Sequence, residues 1–237
     1  MKLLAIDTAN WPLGVAIMEE GKLLGEVNTQ VSKNHSIRLM PTVEWLCEQV
    51  QIQPKELDGI AVAQGPGSYT GVRIGVTTAK TLAWSLKIPL LGVSSLQIIA
   101  QNRASFPGLI VPLVDARRER VYCGKYQSKA LADGFIVQGE DRLVGIEDLC
   151  HELSSTEGQI LFIGEGVRVY REQLEAALKD RAIFAAEVEH PPRASQLAHI
   201  AFTQWKESLE KAEDIHSFSP EYLQLAEAEA TWQKNNR

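Results

Sequence analysis

The sequence predicts a two-lobed α/β protein in which one β-β-β-α-β-α plan is used twice. Three observations carry that prediction. Short apolar runs bounded by turn residues alternate with stretches whose apolar residues recur every three or four positions. The same order of segments starts again after Phe106-Pro107-Gly108, and the first strand of each half ends in an aspartate, Asp7 and Asp115.

In the first half, residues 3–7, 13–18 and 23–27 read as a three-stranded meander, cut by turn signals at Trp11-Pro12 and Glu20-Gly21. Leu39, Val43, Leu46 and Val50 then form one helical stripe, which Gln53-Pro54 ends. Residues 59–63 are an apolar strand, followed by the glycine-rich run 64–75 (QGPGSYTGVRIG) and a helix over about 72–86. After Pro89 come a short strand at 90–93 and a helix to about Arg103, opened by a capping-box-like Ser94-Ser95-Leu96-Gln97.

The second half repeats the order, with strands at 109–115, 120–126 and 134–138, a helix at 146–153, a strand at 160–163 and a helix at 170–178. Residues 193–211 read as a long helix. The expected organisation is a first lobe at 1–105, a second at 106–210, and a polar tail at 211–237 that packs back toward the first lobe. A duplicated unit of this kind is the plan of the actin-like (ribonuclease H-like) ATPases, whose lobes face each other across a cleft with strand-turn-strand corners presented to phosphates.

The 237 residues are 45% hydrophobic, enough for two cores, and carry a net charge of -6, which gives no general footprint for a polyanion. Any RNA is therefore expected to meet this chain through a partner. Three separated cysteines without a CxxC pair fit buried thiols in a reducing compartment. The opening MKLLAIDTANW is too short in apolar residues for a signal sequence, and no window suits a membrane span, so a cytoplasmic location is expected.

Glycines 65, 67, 71 and 75, with Pro66 fixing the turn and Ser68, Tyr69 and Thr70 between, let a ligand approach closely, and a helix N-terminus attracts anions. Asp7, Thr8, Gly65, Gly67, Ser68 and Asp115 are accordingly the candidate phosphate or nucleotide residues. No Gly-Lys-Ser/Thr follows, however, and a tight strand-to-helix turn with a small packing face explains the same residues equally well. Both readings stand on pattern alone. Asp7 and Asp115 also suit turn caps, and Arg117, Arg118 and Arg120 suit solvated hairpin charge ahead of a phosphate or acidic partner. The five histidines show neither HExxH nor an i, i+4 pair, and Ser68 lacks the GxSxG frame, so no metal site or serine nucleophile is expected.

Ile6-Asp7-Thr8, the run 63–75, Ala79-Lys80-Thr81-Leu82-Ala83, residues 89–95 (PLLGVSS), Asp115-Ala116-Arg117-Arg118 with Val121-Tyr122, and Pro220-Glu221-Tyr222-Leu223 together resemble the TsaB (YeaZ-type) family over most of the chain. The resemblance implies an accessory subunit that works with TsaD and TsaE to place threonylcarbamoyl on adenosine 37 of tRNA. The catalytic relative TsaD carries a metal-binding HxxxH where this chain reads 93–99, so Ser95 and Ile99 stand at the two histidine positions. A hydroxyl and a sec-butyl group cannot replace two imidazoles on a metal.

The resemblance further implies a non-catalytic scaffold with no metal or cofactor of its own, ATP acting at the complex or in the cleft. TsaD is the expected heterodimer partner, TsaE joins in an ATP-dependent ternary complex, a homodimer forms when TsaD is absent, and tRNA is reached only through the complex. His35, Leu39, Gly71, Arg73, Gly75 and Ala79 are the expected partner face, because Gly71, Gly75 and Ala79 recur at four-residue steps and permit close helix approach. Two other activities of such folds are a kinase-type ATP-binding enzyme and a metallopeptidase, the latter disfavoured by the missing histidine pair.

Overall fold

The computed structural model describes residues 1–31, 34–128, 135–210 and 215–224. The first sheet contains β1 (Lys2–Asp7), β2 (Leu13–Glu19), β3 (Lys22–Thr29), β4 (Gly59–Gly65) and β5 (Leu90–Ser94), in the order β3-β2-β1-β4-β5. β1 and β2 pair antiparallel from Lys2↔Glu19 to Asp7↔Gly14, whereas β4 and β5 join in parallel. α1 (His35–Gln49) and α2 (Tyr69–Leu86) supply the crossovers, and α3 (Ser95–Gln101) leads out of the sheet.

The second sheet is built from β6 (Leu109–Asp115), β7 (Arg120–Cys123), β8 (Tyr126–Ser128), β9 (Phe135–Val137), β10 (Arg142–Gly145), β11 (Ile160–Ile163) and β12 (Ala182–Phe184). Its main path runs β10-β7-β6-β11-β12, with α4 (Ile146–Ser154) and α5 (Val167–Leu178) as the crossovers. β7 and β10 are antiparallel neighbours, and β11 and β12 continue in parallel from β6. Two sheets with the same order and the same parallel and antiparallel neighbours establish the duplicated plan.

The third strand of the second copy differs from the sequence expectation. The expected strand at 134–138 corresponds to β9, which pairs only with β8 among the described residues, and β10 takes the meander position instead; Gly134 lies outside the described residues. The expected strand at 120–126 is also split, because the chain breaks pairing at Gly124, where a Cβ would lie 2.2 Å from Asp141 Oδ1. β12 adds a strand that periodicity alone does not mark.

Strand alternation explains how β6 and β11 serve two cores at once. Val111, Leu113, Ile160 and Phe162 face the α4/α5 core, while Ile110, Val114, Leu161 and Ile163 meet Leu96 and Ile99 of α3 in a second cluster that joins the lobes. The final helix, α6 (Ala194–Glu210), departs from the expected lobe division at residues 106–210. Ala194, Leu197, Ala198 and Ala201 are fully buried in the core of the first sheet. Its Trp205 covers Gly59, whereas Val62 of the same strand lies beside Gly75 of α2, so α6 and α2 cover opposite faces.

Candidate functional site

The glycine-rich run forms the corner between β4 and α2. Gly65 has φ 115, the Gly65-Pro66 peptide is cis, and Ser68 caps α2 by accepting from the Gly71 N–H. The helix therefore begins at Tyr69, three residues earlier than its apolar pattern suggests.

Three glycines of this corner are in contact with the turn that follows β1. A Cβ on Gly67 would lie 2.3 Å from the Ala9 carbonyl oxygen, one on Gly71 2.3 Å from that of Thr8, and one on Gly75 2.5 Å from Thr8 Oγ1. Ser68 N–H donates to Ala9 O at 2.7 Å, and the Thr8 hydroxyl donates to Gly71 O at 2.7 Å. The glycines thus make room for the chain's own backbone, and the Ser68 and Gly71 N–H groups are already used. Of the two readings open in the sequence, the tight packing turn is the one these contacts express.

Asp7 lies beneath the corner, 2% exposed, with Oδ1 accepting from the Ala9 N–H at 2.9 Å and Oδ2 unpartnered among the described residues. Burial raises its pKa from 3.8 to about 6, with the Ala9 hydrogen bond acting the other way. Because the folded value is the higher one, folding favours the protonated acid, and stability is lost as pH rises from about 4 through about 6. Asp7→Asn is expected to keep the Ala9 bond and to raise the melting midpoint at pH 7.5. The gain corresponds to roughly 2–3 kcal/mol by linkage and shrinks toward zero near pH 4, as thermal scans at the two pH values would show.

Asp115, the matching strand end, does line the cleft between the lobes, which has a volume of about 750 Å³. It accepts from Arg117 N–H at 3.0 Å and from the Tyr170 hydroxyl at 2.9 Å, while its own N–H donates to Glu165. Burial and the Asp115 charge raise the Glu165 pKa, against the hydrogen bond from Asp115 N–H. The β6–β7 turn closes with Ala116 N–H on Arg120 O, and Arg117, Arg118 and Glu119 all have left-handed φ of 63, 55 and 57.

Residues 215–224 cross the first-lobe side of this cleft. Glu221 N–H donates to Gln64 O, Gln64 Nε2 donates back to the Glu221 carboxylate at 3.0 Å, and Lys80 Nζ donates to Phe218 O at 2.6 Å. Tyr222 stacks on Tyr69 at 4.8 Å, and the Arg73 guanidinium lies 5.3 Å from the Tyr69 centroid. Sequence reasoning misses these partners, although the motif Pro220-Glu221-Tyr222-Leu223 marks the segment.

The expected partner face requires correction. Gly71, Gly75 and Ala79 are buried against the first lobe's own core, Leu39 is 1% exposed and His35 8%. Arg73 alone of the six is exposed, and it bonds Tyr69 Oη at 2.8 Å. The open large apolar side chains of these helices are instead Ile37, Met40 and Trp45 on α1 and Trp84 on α2, with exposures of 67, 43, 52 and 63%, together with Tyr69 at the start of α2. Ser95 and Ile99, the positions aligned with the histidine pair, are both buried in α3, and Ser95 Oγ has no hydrogen-bond partner among the described residues.

Two lobes of one topology, a glycine corner closed on the β1 turn and a strand-end aspartate on the cleft define an actin-like protein of the ribonuclease H-like type. The family described as "TsaD: tRNA N6-adenosine threonylcarbamoyltransferase" matches residues 22–232. The tRNA threonylcarbamoyladenosine biosynthesis protein TsaB of Bacillus subtilis is 44% identical over 98% of both chains, and its Escherichia coli namesake 30% identical over 70% of this chain and 72% of that protein. A Pseudomonas aeruginosa structure, described as an uncharacterized protein with similarity to peptidase YEAZ, superposes with a TM-score of 0.80 at 28% identity, covering 94% of this chain and 99% of that one. The chain belongs to the TsaB family, within the wider family of TsaD-like proteins.

Proposed function

We propose that this chain is a non-catalytic subunit of the assembly that makes threonylcarbamoyladenosine in tRNA, and that it holds a TsaD-type catalytic partner on the exposed face of α1 and α2. The observation that carries the reading is the full-length likeness to TsaB combined with four large apolar side chains, Ile37, Met40, Trp45 and Trp84, left open on adjoining helices of an acidic chain. Large exposed apolar groups of this kind mark protein interfaces. Serine and isoleucine at 95 and 99, both in the core, support the scaffold role over a metal-dependent one.

In this reading TsaD forms a heterodimer with the chain, TsaE joins the pair in an ATP-dependent step, and tRNA is engaged by the assembly in the cytoplasm. The same helix face makes a homodimer in the absence of TsaD. No cofactor is bound by this subunit alone, and ATP acts in the assembly. Reconstitution provides the test: purified TsaD, TsaE, a threonylcarbamoyl-adenylate source and unmodified tRNA, with and without this chain. Modification is expected to require the chain, at least about ten-fold by rate. Equal modification without it rejects the function, and ATP turnover by the chain alone with an acceptor substrate would favour a kinase-type enzyme instead.

A further inference from the structure

We infer that the mouth of the interlobe cleft binds a single-stranded segment of RNA, with Arg117 and Arg120 on backbone phosphates and Trp11 and Tyr222 against unpaired bases. The inference rests on the proposed function for its RNA. The site itself rests on the geometry of the cleft.

Among the described residues, the other arginines are engaged. Arg103, Arg142, Arg168, Arg171 and Arg193 each form an ion pair with a glutamate. Among the described residues, neither Arg117 nor Arg120 has a carboxylate within 4.0 Å of its guanidinium, although both line a cleft that also contains Asp115, Glu165 and Glu221. Those carboxylates have other bonds: Asp115 accepts from Arg117 N–H and the Tyr170 hydroxyl, Glu165 from Asp115 N–H, and Glu221 from Gln64. Neither of these two guanidinium groups is therefore held in a direct ion pair, although both share the lining of the cleft with three carboxylates.

The turn that carries them is conformationally costly. Three consecutive non-glycine residues in left-handed conformation each cost about 1 kcal/mol relative to glycine, so the turn retains side chains where glycine would fit more easily. Across the same cleft stand Trp11, 64% exposed, and the stacked Tyr69 and Tyr222, 43 and 41% exposed. Exposed aromatic rings across one cleft from guanidinium groups outside ion pairs suit single strands, because every base presents a π-face and every linkage a charge.

A polynucleotide fits this arrangement better than a mononucleotide. At the glycine corner, the Ser68 and Gly71 N–H groups that would seat a terminal phosphate are bonded to Ala9 O and Ser68 Oγ. The cations lie on the β6–β7 turn, while the aromatics come from the loop after β1, the start of α2 and the tail. Contacts from four chain segments around a cleft of about 750 Å³ match a strand laid across the mouth. An acidic peptide would use the arginines but leave the aromatic faces without a matching partner.

The test uses the heterodimer with the TsaD-type partner and a fluorescein-labelled, unmodified anticodon stem-loop RNA, titrated by anisotropy between about 50 and 200 mM KCl. The charge reversal Arg117→Glu/Arg120→Glu is expected to weaken binding about ten-fold or more, and to reduce the magnitude of the salt slope by roughly 1.5, as two lost phosphate contacts require. Arg117→Lys/Arg120→Lys should retain the slope, and Trp11→Ala should weaken binding several-fold at unchanged slope. Co-elution with the partner confirms that each variant is folded.

Wild-type affinity and slope in the Glu pair would overturn the inference, as would equal binding of a fully paired duplex or displacement of the RNA by millimolar AMP. Modification that needs the chain yet ignores both arginines rejects this site and leaves the proposed function standing. Modification that proceeds without the chain rejects that function.

Discussion

Glutamate at both Ile37 and Trp84 is expected to abolish co-purification with a TsaD-type partner while leaving the subunit folded. Both side chains are largely exposed, at 67 and 63%, so their replacement removes little packing within the chain. In an interface the same groups become buried, and well-packed aromatic and aliphatic anchors contribute about 2 kcal/mol each, or roughly thirty-fold in affinity apiece. Burying two carboxylates in their place adds a desolvation cost. The combined effect, roughly a thousand-fold, takes a submicromolar complex out of the range that pull-down detects. Circular dichroism and the melting midpoint of the isolated variant should match the parent within a few degrees, and a variant that still binds at parental affinity rules out this face.

Leucine at Gly75 should have the opposite profile, losing stability of the subunit itself rather than the partner alone. The first added carbon would already sit 2.5 Å from Thr8 Oγ1, and that hydroxyl is held by its bond to Gly71 O at 2.7 Å. Helix propensity favours replacing an interior glycine by about 1 kcal/mol. Displacing the Thr8 turn outweighs it, because the hydroxyl bond, the Ser68–Ala9 bond and the packing on β1 move together. Overpacking with loss of a buried hydrogen bond costs about 3 kcal/mol or more, which for a chain of this size lowers the midpoint by roughly 6–12 °C. Serine at Thr8 keeps the hydroxyl and should cost less than alanine. A leucine variant as stable as the parent would show that the turn can shift freely.

These two predictions divide along the line between what periodicity reveals and what it conceals. The stripe Gly71, Gly75 and Ala79 is legible as a small face, but a face is silent about its cover. The cover is the turn at Thr8 and Ala9, brought there because β1 and β4 are adjacent in the sheet. The exposed apolar residues of α1 and α2 include Ile37, Met40, Trp45 and Trp84, whose apolarity in sequence resembles that of any core residue. Likewise α6 is recognisable as a helix, whereas its place on the first sheet comes from Gly59 making room for Trp205, a contact between distant segments.

The cleft shows the same division. Asp7 and Asp115 are visible together as strand ends, yet only Asp115 lines the cleft, while Asp7 is closed under the glycine corner. Gln64 and Glu221, 157 residues apart, give no local sign of their pairing. The order of elements, the repeat and the glycine corner are determined by the sequence itself, because they depend on spacing and on residues such as glycine and proline whose backbone preferences are local. Which surfaces close on each other, which helix covers which sheet and which arginines are left outside direct ion pairs are decided only in the tertiary structure, because they depend on contacts between segments that no local pattern encodes.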